Sequence, residues 1–114
     1  MYFIGIDVGT SGTKAVLMDE TGAVLRTHTE EYPMLQPKNG WAEQDPADWW
    51  EATKRSLFAV CDGIDAVGGI GLTGQMHGLV VLDENDNVIR PAILWNDGRT
   101  QKETDYLNNV IGKE

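Results

Sequence analysis

An acidic residue followed at once by a glycine-rich stretch is the feature of this sequence with the clearest chemical meaning. Residues 7–14 read Asp-Val-Gly-Thr-Ser-Gly-Thr-Lys and lie between two predicted strands. Gly9 and Gly12 allow backbone N–H groups to approach an anion closely, and the nearby hydroxyls add donors. A carboxylate beside such a cradle can hold hydrated Mg²⁺ or orient a transferring phosphoryl group. The segment predicts a phosphate loop, and the alternative is an ordinary hairpin with a surface Asp7.

Two better-known nucleotide motifs are excluded by context. The loop at 7–14 lacks the four-residue gap before Gly-Lys that a Walker loop requires. Residues 69–74 match G-x-G-x-x-G, but that dinucleotide fingerprint needs a strand before it and a helix after it. Here the glycines lie within a predicted strand, and residues 79–82 lead into another extended segment. We therefore reject a Rossmann interpretation.

Two further segments have side chains suited to a sugar. Residues 73–78, Thr-Gly-Gln-Met-His-Gly, follow a predicted strand, and ligands in α/β proteins gather at such strand ends. Residues 94–99, Leu-Trp-Asn-Asp-Gly-Arg, place an aromatic face beside an amide, a carboxylate and a guanidinium. A polyol needs this combination of stacking and hydrogen bonds. The alternatives are a purely structural His77 and a turn with Trp95 in the core.

The elements that must position these segments follow from the hydrophobic pattern. Residues 2–6 form an apolar run typical of a strand buried on both faces. Strands at 13–18 and 23–32 complete an antiparallel meander, and Asp45-Pro46 starts a helix that stops at Gly63. The residues that recur at helical spacing along it, and are expected to face the core, are Trp49, Ala52, Ser56, Ala59 and Val60. The remaining predictions are a strand at 66–73 parallel to the first, a hairpin over 79–89, an extended run at 91–95 and a helix over 100–110.

Composition limits the class of protein. The chain has 114 residues, a formal net charge of −9 and one cysteine. Without a basic cluster, nucleic acid and membranes are poor partners, and a lone Cys61 gives no disulfide framework. The first residues lack the pattern of a signal peptide, so we expect a cytoplasmic protein. Trp41, Trp49 and Trp50 are expected to pack around the start of the helix, and the alternative for Trp41 is a place near the sugar.

Several of these segments together resemble the carbohydrate kinase family that contains xylulokinases, glycerol kinases and gluconokinases. The family-wide features are residues 5–11, residues 41–46 with Trp49-Trp50, and residues 91–99. Residues 74–78, Gly-Gln-Met-His-Gly, resemble the xylulokinase branch, whereas glycerol kinases carry an Arg-Glu pair at positions 76 and 77. The resemblance implies an α/β fold of the ribonuclease H-like, actin-like ATPase class. Its mixed sheet would start with a three-strand antiparallel meander and have helices packed on it.

The resemblance also implies ligands and residue roles. ATP and Mg²⁺ would be the cofactors, and D-xylulose would be converted to D-xylulose 5-phosphate; another pentulose or polyol is the alternative substrate. Asp7 would be the catalytic and metal-binding carboxylate. Phosphates would lie against Gly9, Thr10, Ser11, Gly12 and Thr13. The sugar would lie against Gln75, Met76, His77, Trp95, Asn96 and Asp97.

The resemblance covers essentially the whole chain but not the whole family pattern. Residues 1–114 correspond to the N-terminal part of the first, sugar-binding domain, and the family's catalytic Asp and its ATP-binding domain match no position here. We therefore expect the chain alone to be inactive, and a sugar- or phosphate-binding module without catalysis is the alternative. A homodimer is a further expectation, since an apolar face is left where more polypeptide would pack.

Overall fold

A four-stranded mixed sheet forms the centre of the structure, a computed structural model that describes residues 1–112. The elements in chain order are β1 Tyr2–Val8, β2 Gly12–Met18, β3 Val24–Glu31, β4 Glu43–Gln44, α1 Pro46–Cys61, β5 Val67–Gly74, β6 Ala92–Ile93, α2 Gln101–Tyr106 and a π-helical turn Leu107–Ile111. The strand order of the four-stranded sheet is β3-β2-β1-β5; β1 pairs antiparallel with β2 and parallel with β5, and β2 pairs antiparallel with β3. The predicted meander and the parallel fourth strand are confirmed.

Helix α1 packs on one face of this sheet, mainly over β2 and β3. Asp45 caps it by accepting a hydrogen bond from the Ala47 N–H at 2.9 Å, and Pro46 occupies the first turn. The helix stops before Gly63, whose φ of 71° few other residues adopt readily. Its buried positions are Ala52, Ser56 and Val60, and the core they join contains Ile4, Ile6, Ala15 and Leu17.

Two expectations about burial were wrong. Ala59 is exposed, because the buried stripe of α1 runs at four-residue intervals and does not include it. Strand β1 is buried on one face only: Ile4 and Ile6 lie under α1, whereas Phe3 is 37% exposed and Asp7 is exposed. Within residues 1–112, α1 covers a single face of the sheet, so alternate residues of β1 face opposite environments.

A second, two-stranded sheet was not predicted. Strands β4 and β6 pair antiparallel, with Glu43 opposite Ile93 and Gln44 opposite Ala92. The hairpin predicted over 79–89 is present only as a turn with an isolated bridge between Leu82 and Val88. Its two flanks do not continue as paired strands, because the Leu79 N–H and C=O both bond to Ile93 instead. This small sheet brings residues 41–45 next to residues 91–97.

The C-terminal segment is helical, as predicted for 100–110, but its hydrogen-bonding pattern changes along its length. Regular α-helix ends at Tyr106, and Leu107–Ile111 continues as a π-helical turn that the Gly112 N–H closes onto the Leu107 carbonyl at 2.7 Å. Over residues 1–112, none of the helices combines the length and the apolar character needed to cross a membrane.

Glycine 12 is predicted to be essential for packing, whereas Gly71 is not. A Cβ at Gly12 would lie 2.6 Å from the Glu30 carbonyl oxygen, but a Cβ at Gly71 meets nothing within 4 Å. Gly12→Ala should lower the free energy of unfolding by about 1–3 kcal/mol, because backbone must shift. Gly71→Ala should be neutral or stabilise by up to about 1 kcal/mol, since Gly is unfavourable within a strand. Urea unfolding of both variants measures this, and equal effects would contradict it.

Candidate functional site

The three segments singled out in the sequence meet at Thr10. This residue lies in the tight turn between β1 and β2, where the Gly9 N–H donates to the Gly12 carbonyl at 3.0 Å. The Thr10 hydroxyl donates to Gln75 Oε1 at 3.3 Å and accepts from Trp95 Nε1 at 3.1 Å. The partners are 65 and 85 residues away along the chain. The predicted phosphate loop and both predicted sugar segments therefore form one site at the carboxyl ends of β1 and β5.

Gln75 faces the interior of this site. Its backbone N–H donates to the Val8 carbonyl at 2.9 Å, and its Nε2 donates to Gln44 Oε1 at 3.0 Å and to the Gly9 carbonyl at 3.4 Å. With Oε1 bound to Thr10, both ends of the side-chain amide have protein partners. The geometry makes Gln75 a bridge between the loop after β5 and the loop after β1.

The two residues after Gln75 point the other way. Met76 is 71% exposed, and His77 is exposed with a φ of 61°. Few residues other than glycine adopt a left-handed backbone, and such conformations concentrate at functional sites. A cleft of about 180 Å³ lies beside them, lined by Val8, Trp49, Gly74, Gln75, His77, Gly78, Val80 and Leu94.

Trp95 and Asn96 present an aromatic ring and an amide on the second sugar segment. Trp95 is 56% exposed although its indole N–H is bound to Thr10. The Asn96 side-chain amide lies 3.6 Å from the sulfur of Met34 and is otherwise exposed. An exposed ring held at its N–H is a fixed platform on which a sugar ring or chain can lie.

Asp97, by contrast, is enclosed in an ion network. Its side chain is 2% exposed; Oδ2 accepts from Arg99 Nη2 and from the Ala42 N–H, both at 2.7 Å. Arg99 also donates to Glu43 at 2.8 Å and stacks 3.7 Å from the Trp41 ring. The hydrogen bonds from Arg99 hold the pKa of Asp97 well below its usual range despite burial. Asp97 therefore fixes the segment that carries Trp95.

The tryptophans near α1 differ from the expectation that all pack around its start. Trp41 stacks on Arg99, and Trp49 donates its indole N–H to Gln44 Oε1 at 2.9 Å. Trp50 is 61% exposed, because its position on α1 faces away from the sheet.

The phosphate-loop residues divide by exposure. Asp7 is exposed on the face of the sheet that α1 leaves open, with Lys14 and Thr73 opposite it on the neighbouring strands. Ser11 is exposed at the turn, whereas Thr13 is fully buried under α1. The hydroxyl of Thr13 is thus closed to a ligand, because even-numbered and odd-numbered residues of β2 face opposite sides.

The donor set near the loop suits a weakly held magnesium ion. Within residues 1–112, no three or more His, Cys, Asp or Glu side chains converge as a metal cage. An exposed Asp7 carboxylate is a hard oxygen ligand, and Mg²⁺ commonly binds one or two carboxylates while keeping several waters. Asp7 could therefore hold hydrated Mg²⁺ next to phosphate oxygens.

Gln44 is the site residue that the sequence did not identify. It lies inside residues 41–46, a stretch recognised only as a family feature, and it is fully buried. Its Nε2 donates to the Thr10 carbonyl at 2.6 Å. The sequence shows only that a polar residue precedes the helix cap Asp45. The tertiary contact with Thr10 is what identifies Gln44 as part of the site.

Comparisons with known proteins agree with this fold. Residues 2–114 match the FGGY family of carbohydrate kinases, N-terminal domain. A xylulose kinase of Klebsiella pneumoniae is 47% identical over 111 residues, covering 96% of this chain and 23% of that protein. A xyloylose kinase structure from Brucella ovis superposes with a TM-score of 0.91 at 40% identity, over 98% of this chain and 24% of the other. A gluconate kinase structure from Lactobacillus acidophilus superposes with a TM-score of 0.90 at 34% identity, over 95% of this chain and 22% of the other.

The mixed sheet and these neighbours place the chain in the α/β class with the actin-like ATPase fold, as predicted. The chain belongs to the FGGY family of carbohydrate kinases. It spans about a quarter of the length of the relatives that it matches.

The ion network makes a pH-dependent prediction. Asp97→Asn should lower the free energy of unfolding by about 1–3 kcal/mol near neutral pH, because Arg99 loses one of its two carboxylate partners. The pKa of Asp97 is lower in the folded chain, so its contribution is complete above the unfolded pKa of about 3.9 and is lost as the pH falls through the folded value. The difference in the free energy of unfolding between wild type and Asp97→Asn should therefore become smaller below about pH 4.

Urea unfolding from pH 7 to the lowest pH at which the chain stays folded measures this difference. Asp65→Asn, at an exposed position, is the control and should change stability little. A difference between wild type and Asp97→Asn that is constant with pH would contradict the assigned role.

Proposed function

We propose that the protein containing this chain transfers the γ-phosphoryl group of ATP to a hydroxyl of D-xylulose, giving D-xylulose 5-phosphate. The observation that carries the proposal is the meeting of the phosphate loop and both sugar segments at Thr10. Phosphoryl transfer depends on holding donor and acceptor side by side in fixed orientation. The names of the xylulose kinase relatives support this choice of substrate.

The phosphate end of the proposed site uses the β1–β2 turn. Asp7 would hold hydrated Mg²⁺, which supplies positive charge to the transferring phosphoryl group when bound. The exposed Ser11 hydroxyl would contact the phosphates. Gly9, Thr10, Gly12 and Thr13 would form the turn around them, because the Gly9 N–H and the Thr10 hydroxyl have protein partners and Thr13 is buried.

The sugar end uses the outward-facing residues of the other two segments. A ketose would lie on the Trp95 ring and exchange hydrogen bonds with His77 and Asn96, with Met76 as an apolar contact. Gln75 and Asp97 would act from behind this surface, because both are engaged by protein partners. Their proposed roles are to position His77 and Trp95.

The remaining machinery would come from polypeptide beyond this chain. We propose that residues 1–114 are the N-terminal part of a sugar-binding domain, since the chain covers 23% of the Klebsiella pneumoniae relative. A second domain would supply the adenosine pocket and an Asp as general base. The chain alone should then be inactive, because an open site loses orientation and electrostatic stabilisation. We also propose a cytoplasmic protein, without nucleic acid or membrane partners, that forms homodimers.

A related kinase activity is the second candidate. The gluconate kinase from Lactobacillus acidophilus is nearly as similar in structure as the Brucella ovis protein. Another sugar acid, pentulose or polyol would use the same phosphate loop and differ at residues 75–77 and 95–97. A binding module without catalysis is the third candidate, and turnover by the complete protein would exclude it.

Asp7 provides the first test. The polypeptide encoded by the complete reading frame is assayed for ADP release with Mg²⁺-ATP and D-xylulose, D-ribulose, gluconate or glycerol. We expect turnover with D-xylulose, and at least about a 10²-fold lower kcat for Asp7→Asn with the fold intact, since Asp7 is exposed. Preference for another sugar would overturn the substrate assignment, and a normal kcat for Asp7→Asn would overturn the role of Asp7.

His77 provides the second test. His77→Ala should raise the KM for D-xylulose by about 10-fold or more and leave the KM for ATP nearly unchanged, because the lost hydrogen bond is to the sugar. Steady-state kinetics with each substrate varied in turn separate the two values. Glu84→Ala, at an exposed turn away from the site, is the control. Equal increases in both KM values would indicate a merely structural His77.

A further inference from the structure

Gln44 occupies the space between the two loops of the candidate site. Its side chain is completely buried, and its amide contacts both the turn after β1 and the loop after β5. Nε2 donates to the Thr10 carbonyl at 2.6 Å, and Oε1 accepts from Gln75 Nε2 at 3.0 Å. Gln44 therefore touches both ends of the site, although none of the proposed substrate contacts involves it.

The hydrogen bonds allow only one orientation of the Gln44 amide. Oε1 receives N–H groups from both Trp49 and Gln75, and Nε2 faces a carbonyl that can only accept. Rotating the amide by half a turn would bring donors against donors and an oxygen against the Thr10 carbonyl. Leaving buried polar groups unpaired is costly. The position of one loop is therefore set by the same side chain that sets the other.

The backbone of Gln44 is held in place, so it does not move readily when either loop moves. Strand β4 pairs it with Ala92, and the next residue, Asp45, caps α1. A shift of the Thr10 turn must accordingly be accommodated by the side-chain bonds to Gln75, which lies next to Met76 and His77. A displacement of either loop is therefore transmitted to the other through this one side chain, which is a contiguous path for coupling between the two ends of the site.

We propose that Gln44 is a positioning residue that couples the phosphate loop to the sugar loop, so that nucleotide binding raises the affinity for the sugar. The inference rests on the proposed function and adds to it a mechanism for ordering both substrates. Linkage requires that the effect be reciprocal: the sugar raises the affinity for the nucleotide by the same factor.

The test measures that factor directly. D-xylulose is titrated calorimetrically into the polypeptide of the complete reading frame, with and without Mg²⁺-ADP, for wild type and Gln44→Leu. Wild type should bind the sugar about 5–150-fold more tightly with nucleotide present. Gln44→Leu should reduce this ratio to within about twofold of one and lower kcat/KM for the sugar by about tenfold or more.

A second variant guards against a folding defect. Gln44→Glu keeps an oxygen for Trp49 and Gln75 but sets an acceptor against the Thr10 carbonyl, and it should abolish the coupling as well. Val60→Ala is the matched structural control. It leaves a small cavity in the core between α1 and the sheet, lowers thermal stability, and should keep the wild-type ratio.

Three outcomes overturn the inference alone. The first is a wild-type protein that phosphorylates the sugar without coupling, and the second is a set of Gln44 variants whose ratio equals that of wild type. The third is loss of coupling in Val60→Ala, which would show that any destabilisation suffices. Absence of turnover by wild type with every sugar tested would instead overturn the proposed function and this inference with it.

Discussion

The structure depends on a buried amide whose hydrogen bonds must all be satisfied. Gln44 has no access to water, so its oxygen and nitrogen need protein partners, and those partners lie on three different elements. A buried polar group left unpaired costs more than an ordinary hydrogen bond contributes. The position of the turn at Thr10 is therefore tied to the position of the loop at Gln75 through this amide.

The second sugar segment is fixed by charge instead of amides. Arg99 lies between Glu43 and Asp97 and stacks on Trp41. The edge of its planar guanidinium donates hydrogen bonds to the two carboxylates, and its face contacts the indole ring. The two carboxylates come from positions far apart in sequence, which joins residues 41–45 to residues 94–99. Both kinds of anchor involve β4: Glu43 belongs to the ion network and Gln44 to the amide network. This short strand is therefore the common support of the site.

Much of the fold could be predicted from the sequence, because its signals are local. The apolar run before Asp7 predicted a strand, and Asp45-Pro46 predicted the start of a helix; β1 and α1 confirm both. The pairing of β4 with β6 could not be predicted, since two-residue strands carry no periodicity and depend on the tertiary contacts of Glu43 and Gln44. The burial of Thr13 likewise depends on which face of the sheet α1 covers, and no pattern within residues 12–18 predicts that face.

Each sugar segment pairs an inward anchor with outward side chains. Gln75 points in and His77 points out; Asp97 points in and Trp95 points out. Turning the chain so sharply after Gln75 requires an unusual backbone, and the positive φ of His77 meets that requirement. Strain there is sustained because Gln75 is held by several bonds. The strained histidine and the buried amides are thus parts of one arrangement, in which stability in the interior maintains an exposed, preorganised surface.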